Sequence, residues 1–301
     1  MRVLITGPLG YIGRPVAEAF CAAGHQVSGL VRNDEKAKAL MLAGIEPVVG
    51  NLSQPDSYRH AVEQAEVVIH TAFDSSANAV EIETGLVKSL TAQCLQSGRA
   101  KALVYTSGVW VHGSTGSNIV DESSELNPID LVSWRMRCEK AVLEASTRTF
   151  RTLVIRPGVV YGGAGGLTSL WFSSALQGSV EVVGHGQNHW PMIHQQDLAR
   201  LYLLATEQEL TGIVLNAVDN SHYSVMEMAQ AVSGVAGIPG KVNIVDEDAA
   251  NDKYGKLTEG LLIDQHISNE RAKRLLSWSP RQRTFIDGIQ SYYSAWMASQ
   301  G

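Results

Sequence analysis

The sequence predicts an α/β fold, a doubly wound parallel sheet with a smaller, mostly helical C-terminal part. Three observations predict it. Residues 1–6 read as a short apolar strand (Val3, Leu4, Ile5) that runs into Gly7, Gly10 and Gly13. A helical spacing of apolar residues (Ile12, Val16, Ala17, Ala19, Phe20) follows at once. Beyond it, short apolar runs alternate with helix-length segments as far as about residue 157. Parallel neighbours need a crossover long enough to be a helix, so this rhythm implies a sheet covered on both faces.

Taken in order, 26–31 is the second strand, 34–43 a helix and 45–49 the third strand. A short helix at 56–62 precedes the fourth strand at 67–70. A long helix at 77–95 leads to the fifth strand at 102–106. The stretch 108–132 is polar and contains glycine, and lies where loops at the carboxyl ends of parallel strands bind ligands. A helix at 133–146 and a sixth strand at 152–155 complete the doubly wound sheet.

The rhythm then weakens. Residues 158–166 hold five glycines, 167–176 suit an apolar helix, and 180–183 form a short strand before the turn-rich 184–190. Leu198, Leu201, Tyr202 and Ala205 share one side of a helix at 195–206. Residues 213–216 read as a strand returning to the main sheet, and the remainder as short helices ending at 285–297. The expected division is therefore a dinucleotide-binding domain at 1–165, rejoined by 192–220, and a substrate-binding part at 166–191 and 221–301.

Composition narrows the function. With 301 residues the chain can bury a full core. A net charge of −6 without a long basic run argues against nucleic acid, whose phosphates need clustered Lys and Arg. Cys21, Cys94 and Cys138 have no metal-ligand spacing, so no metal is expected. Their odd number suits a reducing compartment, hence a cytoplasmic location. No apolar run approaches the ~20 residues of a membrane span. The opening strand does not read as a signal peptide, so the acceptor-like Asn51-Leu52-Ser53 is taken as chance.

The strand–glycine–helix opening is a dinucleotide-binding signature, in which the glycines allow a tight turn, close approach to a pyrophosphate and close helix–strand packing. The pyrophosphate then meets N–H groups at the helix start. The residue closing the second strand selects the nucleotide. Here the run is Leu30-Val31-Arg32-Asn33, with Lys36 one turn on and no carboxylate at 30–33. Arg32 presents a planar donor fork suited to a 2′-phosphate, so NADP(H) is expected. The alternatives are a solvated Arg32 stacking on adenine and a ribose contact by Asp34.

Several segments together resemble the short-chain dehydrogenase/reductase superfamily, in its extended or atypical epimerase-like branch. They are Thr6-Gly7-Pro8-Leu9-Gly10-Tyr11-Ile12-Gly13, His70-Thr71-Ala72, Thr106-Ser107-Gly108 and Asp121-Glu122. Further on come Arg156-Pro157-Gly158-Val159-Val160-Tyr161-Gly162, Trp190-Pro191-Met192-Ile193-His194, Asp197-Leu198-Ala199 and Leu276-Ser277-Trp278-Ser279-Pro280-Arg281. The resemblance implies a Rossmann-type domain. It implies cofactor contacts by Gly7, Leu9, Gly10, Tyr11, Ile12, Gly13, Arg32, Lys36, Asn51, Leu52, Thr71, Ala72, Arg135, Pro157 and Val159. It also implies a homodimer formed through the helices at 77–95 and 133–146.

The departures carry as much information. Enzymes of this type act through a serine and a Tyr-x-x-x-Lys helix, yet no tyrosine occurs between Tyr105 and Tyr161. Registering on Glu139 puts Leu131 at the tyrosine position and Arg135 at the lysine position, while Ser107 keeps the serine. Asn51 stands where relatives often carry an aspartate. Leu131 cannot move a proton. Arg135, with a pKa above ~12, is a poor acid but can stabilise an oxyanion. Its bland reading is a surface residue paired with Glu139 at i,i+4.

Ser107 is the expected contact to a substrate carbonyl, or else a loop-structuring hydroxyl. His112 is the best surviving titratable group, or else a structural or pocket-lining histidine. His194 reads as a fold support and Tyr161 as a backbone organiser. Trp110, Trp134, Trp171, Phe172 and Trp190 either line an aromatic pocket or pack the core. The expected function is NADPH-dependent reduction of an aromatic or polycyclic ketone, with the proton from water or a substrate hydroxyl. That resembles the angucyclinone 7-ketoreductase type, which lacks the tyrosine. The alternatives are a regulatory NADP(H)-binding protein and, more weakly, a sugar-type epimerase or dehydratase.

Overall fold

The computed structural model describes residues 1–73, 76, 78–99, 102–208 and 210–300. In chain order the elements open with β1 (Arg2–Thr6), α1 (Gly13–Ala22), β2 (Gln26–Val31), α2 (Asp34–Leu42), β3 (Glu46–Val49), α3 (Arg59–Gln64), β4 (Val67–His70), α4 (Ala79–Ser97) and β5 (Ala102–Thr106). Next come β6 (Ile119–Val120), α5 (Arg135–Glu144), β7 (Arg151–Pro157), β8 (Val159–Tyr161), α6 (Ser169–Ala175), β9 (Val180–Val183), β10 (Met192–His194) and α7 (Gln195–Glu207). The chain closes with β11 (Ile213–Ala217), α8 (Val225–Val235), β12 (Val242–Val245), α9 (Glu247–Tyr254), α10 (Leu257–Leu262), β13 (His266–Ile267), α11 (Glu270–Leu276) and α12 (Ile289–Ala298).

These elements gather into two units. The first comprises Met1–Ser107, Trp134–Arg156 and Leu198–Leu215, and is built on a seven-stranded sheet in the order β11-β7-β5-β4-β1-β2-β3. The pairings from β3 through to β7 are parallel. Thr6 lies between Leu30 and His70 in register, so β1 ends between its two neighbours where the winding reverses. Open α/β sheets bind ligands at such a switch point. The strands bury both faces, as parallel strands must. Leu4, Val68, Leu103 and Val154 pack with Leu86, Leu90, Val142 and Phe150 from one side. The intervening Val3 and Ile5 are equally buried on the other.

Helix starts explain two local details. The Asn33 side chain accepts from the Lys36 N–H and caps α2, whose first turn carries Asp34 and Glu35 in keeping with the helix dipole. The helix expected at 133–146 starts only at Arg135, because residues 130–132 form a separate 3₁₀ turn. Ala77, the expected start of the long helix, lies outside the described residues.

The second unit comprises Gly108–Ser133, Pro157–Asp197 and Asn216–Gly301. It takes in 108–133 and 157–165, which the sequence reading gave to the first domain, and is therefore comparable in length to its partner rather than smaller. The segment that rejoins the first unit is 198–215 rather than 192–220. Three two-stranded parallel pairs, β8–β10, β9–β12 and β6–β13, join the helices of this unit. Its core holds Trp171, Phe172, Trp190, Met228, Val232, Phe285 and Trp296. The Trp171 and Trp190 rings stack at 4.9 Å and 5°. Trp171, Phe172 and Trp190 belong to this core, and Trp171 and Trp190 also line a small cavity of about 20 Å³ with Leu167, Leu170 and Tyr254.

Candidate active site

The site begins with the turn after β1. Gly7 adopts φ +68°, a conformation that costs glycine nothing. A Cβ on Gly7 would come 2.7 Å from the Ala72 Cα. One on Gly13 would overlap the Gly7 carbonyl oxygen and approach Thr71 Oγ1 to 2.6 Å. The Gly10 N–H donates to Gly7 O at 2.9 Å and the Thr71 hydroxyl to Thr6 O at 2.7 Å. No side chain caps α1 and its first turn holds no acid, so no carboxylate opposes an anion at this helix start.

A cleft of about 380 Å³ opens beside this turn. It is lined by residues 7–10, 30–32, Lys36, Gly50, Leu52 and 71–73. Among the described lining residues there are two cations, Arg32 and Lys36, and no carboxylate and no tyrosine. Of the expected contacts, Gly7, Leu9, Gly10, Arg32, Lys36, Leu52, Thr71 and Ala72 line it together. Tyr11 lies in the turn, Ile12 is the α1 N-cap and Gly13 opens the helix. Asn51 turns away: its Oδ1 accepts from the backbone N–H and the hydroxyl of Ser53. Pro157 and Val159 belong to the second unit, Val159 buried in β8. The lining residues Pro8, Gly50 and Phe73 were not singled out in the sequence, although Pro8 and Phe73 sit inside or beside its quoted motifs.

Arg135 is not paired with Glu139. Its Nη1 donates to the Thr106 carbonyl at 2.9 Å, at the end of β5. The guanidinium carbon lies 4.6 Å from the Trp134 ring centre and 5.7 Å from that of Phe73, and the two rings stack on each other at 6.1 Å. Phe73 nonetheless remains 53% exposed along the cleft. Glu139 instead grips Arg156 of β7, with contacts of 3.0 and 2.5 Å. Below the cleft, His70 Nε2 lies 3.0 Å from Glu83 and Nδ1 2.6 Å from the Thr6 hydroxyl. Burial would raise the Glu83 carboxyl, but His70 and Arg135 outweigh it and hold it below the ordinary carboxylate range.

Ser107 follows β5 directly. Its N–H donates to Ile155 O at 2.8 Å, and the residue is only 7% exposed. Its Oγ, however, has no hydrogen-bond partner.

A family model for the NAD-dependent epimerase/dehydratase family matches residues 3–217. The chain belongs to that family. It is an oxidoreductase-type enzyme of the short-chain dehydrogenase/reductase kind, one of the NAD(P)-dependent reductase and epimerase group. A 4-hydroxy-2-methyl-3-oxo-4-farnesyl-3,4-dihydroquinoline-1-oxide ketoreductase from Stigmatella aurantiaca is 28% identical over 173 residues, covering 54% of this chain and 51% of its own. A 3-diazoavenalumate denitrifying reductase from a Streptomyces species is 28% identical over 310 residues, 96% of this chain and 99% of its own. The fold is that of a Bacillus anthracis dTDP-glucose 4,6-dehydratase in complex with NAD. That structure matches with a TM-score of 0.85 at 19% identity, over 100% of this chain and 97% of the other.

Against its family's pattern, the chain has no tyrosine helix to offer. Leu131 falls in the 3₁₀ turn Asp130–Val132 of the second unit and packs on that unit's core. His112 closes the turn Val109–His112 in the same unit and is 4% exposed. Tyr161 is fully buried, its hydroxyl 2.8 Å from Asp219 and 2.9 Å from the Arg283 carbonyl, and burial with the Asp219 charge pushes its pKa far up. It organises backbone and is no proton donor. His194 accepts from the Gln196 N–H and meets the Tyr161 ring edge-on at 5.3 Å, and burial lowers its pKa against the opposing charge of Asp197. Asp197 accepts from the N–H groups of Arg281 and Gln282, and the Trp278 indole donates to the Asp197 carbonyl. That ties down the segment Trp278-Ser279-Pro280-Arg281. Burial pushes the free thiol of Cys94 up to about 12, so it is inert at neutral pH. Among the described residues no helix is long and apolar enough to cross a membrane.

Proposed function

We propose that the protein is an NADPH-dependent ketoreductase that reduces a ketone on an aromatic or polycyclic small molecule. The observation that carries this reading is a cleft after β1 whose described lining holds two cations and no tyrosine, in a unit where Ser107 is buried directly after β5. Residues 7–10, Thr71 and Ala72 would hold the pyrophosphate region, and Arg32 with Lys36 the 2′-phosphate. Bound there, a nicotinamide dinucleotide supplies the hydride. The Ser107 hydroxyl hydrogen-bonds the carbonyl oxygen. Arg135, held by Thr106 O and two aromatic rings, provides fixed positive charge for the oxygen as it becomes anionic. The proton comes from a hydroxyl beside the ketone or from water. The Stigmatella relative's name supports this substrate class, because it carries a 3-oxo and a 4-hydroxy group on one ring system.

The test is NADPH consumption against aryl ketones with and without a neighbouring hydroxyl. Turnover of the hydroxy ketones supports the proposal. Tight NADPH binding without turnover across the panel favours a regulatory nucleotide-binding protein instead, which the missing tyrosine would also suit. The cofactor assignment has its own measurement. Arg32→Glu is expected to weaken NADPH binding by roughly ten- to a hundredfold, the worth of a charge-assisted hydrogen bond, and to leave NADH binding nearly unchanged. Titration by nicotinamide fluorescence reads both, and equal affinities of the wild type for the two nucleotides would remove the phosphate assignment.

A further inference from the structure

We propose that His189, Asp264 and His266 of the second unit, with His222 beside them, bind a divalent transition-metal ion such as Zn²⁺. One ligand atom from each of the first three lies within 4.8 Å of the others. In a tetrahedral zinc site, bonds of about 2.0–2.1 Å place ligand atoms roughly 3.3 Å apart. Small rotations of these side chains, all only partly buried, close that gap. The His189 and His266 ring centres are 4.6 Å apart, and the His222 ring is 6.0 Å from that of His266. A fourth position thus falls to His222 or to water.

The backbone that carries these groups is already fixed. Asp264 Oδ1 accepts from the His189 N–H at 2.8 Å and lies 3.0 Å from its Nδ1. The Gln265 N–H donates to the His189 carbonyl at 3.0 Å, and its side-chain amide donates to the carbonyls of Val109 and Gly113. His189, His222 and His266 also line a cavity of about 10 Å³, together with Gln265, Ser221 and Asn220. That volume admits about one water-sized particle, which suits an ion and excludes an organic ligand. Two imidazoles and one carboxylate, completed by His222 or water, select borderline ions such as Zn²⁺, Ni²⁺ or Cu²⁺ over Ca²⁺ or Mg²⁺, which prefer oxygen-rich sets. None of these residues has a part in the proposed reduction, so the ion is a clamp between residue 189 and the 264–266 segment.

Chelator-treated full-length protein is titrated with ZnCl₂ by calorimetry at neutral pH. The expected result is one ion per chain at micromolar affinity or tighter, with a rise in Tm under excess zinc. His266→Gln and Asp264→Asn should each weaken binding at least tenfold, while His60→Gln, on the exposed surface of α3, changes nothing. Absence of zinc binding, or binding that both site variants leave intact, overturns the proposal. Should a site variant fail to fold, the Co²⁺ spectrum of the wild type decides. An intense visible band from a four-coordinate ion supports the site, and its absence overturns it.

Discussion

Removing the hydroxyl beside the ketone of a turned-over substrate, by methylation or by replacement with hydrogen, is expected to lower kcat/KM by about 10²–10⁴-fold. The size follows from what the protein lacks. Reduction of a carbonyl delivers a hydride to carbon and a proton to oxygen, and the sequence holds no tyrosine between Tyr105 and Tyr161 to give that proton. Arg135 cannot release a proton near neutral pH, and its Nη1 is committed to the Thr106 carbonyl. A serine hydroxyl is too weak an acid to replace the tyrosine alone. A donor on the substrate itself is already placed, so no positioning entropy is lost in the transition state. Both analogues should fall together, because the methyl ether tests the proton and the hydrogen analogue controls for bulk. NADPH oxidation under limiting substrate reads the ratio. An unchanged rate for both would mean that a protein group supplies the proton, and His112→Ala would then have to abolish turnover.

The strand–turn–helix opening was legible because sterics leave few choices there: a side chain on Gly7 would strain a positive φ and press on Ala72, and one on Gly13 would overlap the Gly7 carbonyl. The alternation behind the central sheet was legible for a similar reason, since buried parallel strands must be apolar on both faces. What failed were assignments made from neighbours in sequence. The i,i+4 rule paired Arg135 with Glu139, but Glu139 finds Arg156 in the sheet and Arg135 turns to the end of β5. Residues 108–133 looked like a loop of the first domain. Their partners lie far along the chain: Ile119 and Val120 pair with His266 and Ile267, and Val109 accepts from Gln265. The tryptophans fitted a pocket and a core equally well on composition, and Trp171 and Trp190 do both, packed in the core of the second unit and lining a small cavity within it. The histidine–aspartate cluster was invisible for the same reason, since residues 189 and 264 meet only after folding.

Glu139→Gln is expected to cost about 3–5 kcal/mol of stability, the loss typical of a buried ion pair deprived of one partner. Both side chains of the pair are about 4% exposed, and the Arg156 guanidinium uses Nε and Nη2 against both carboxylate oxygens. A guanidinium cannot neutralise itself by losing a proton, so the variant removes the carboxylate charge that faces it inside the first unit. The amide can accept at its oxygen, but its NH₂ faces the arginine as a second donor. For a domain of this size the loss corresponds to a fall in Tm of roughly 6–15 °C. Thermal unfolding followed by circular dichroism measures it, and a loss under about 1 kcal/mol would mean that the pair is far better solvated than its burial indicates. Combining Arg156→Met with Glu139→Leu should restore much of the loss, because replacing both charges removes the desolvation penalty along with the attraction. A double variant as unstable as the single one would instead assign the defect to packing between α5 and the sheet. The ion pair would then matter for shape alone, and Arg135, one turn earlier on the same helix, would be expected to shift away from the Thr106 carbonyl with it.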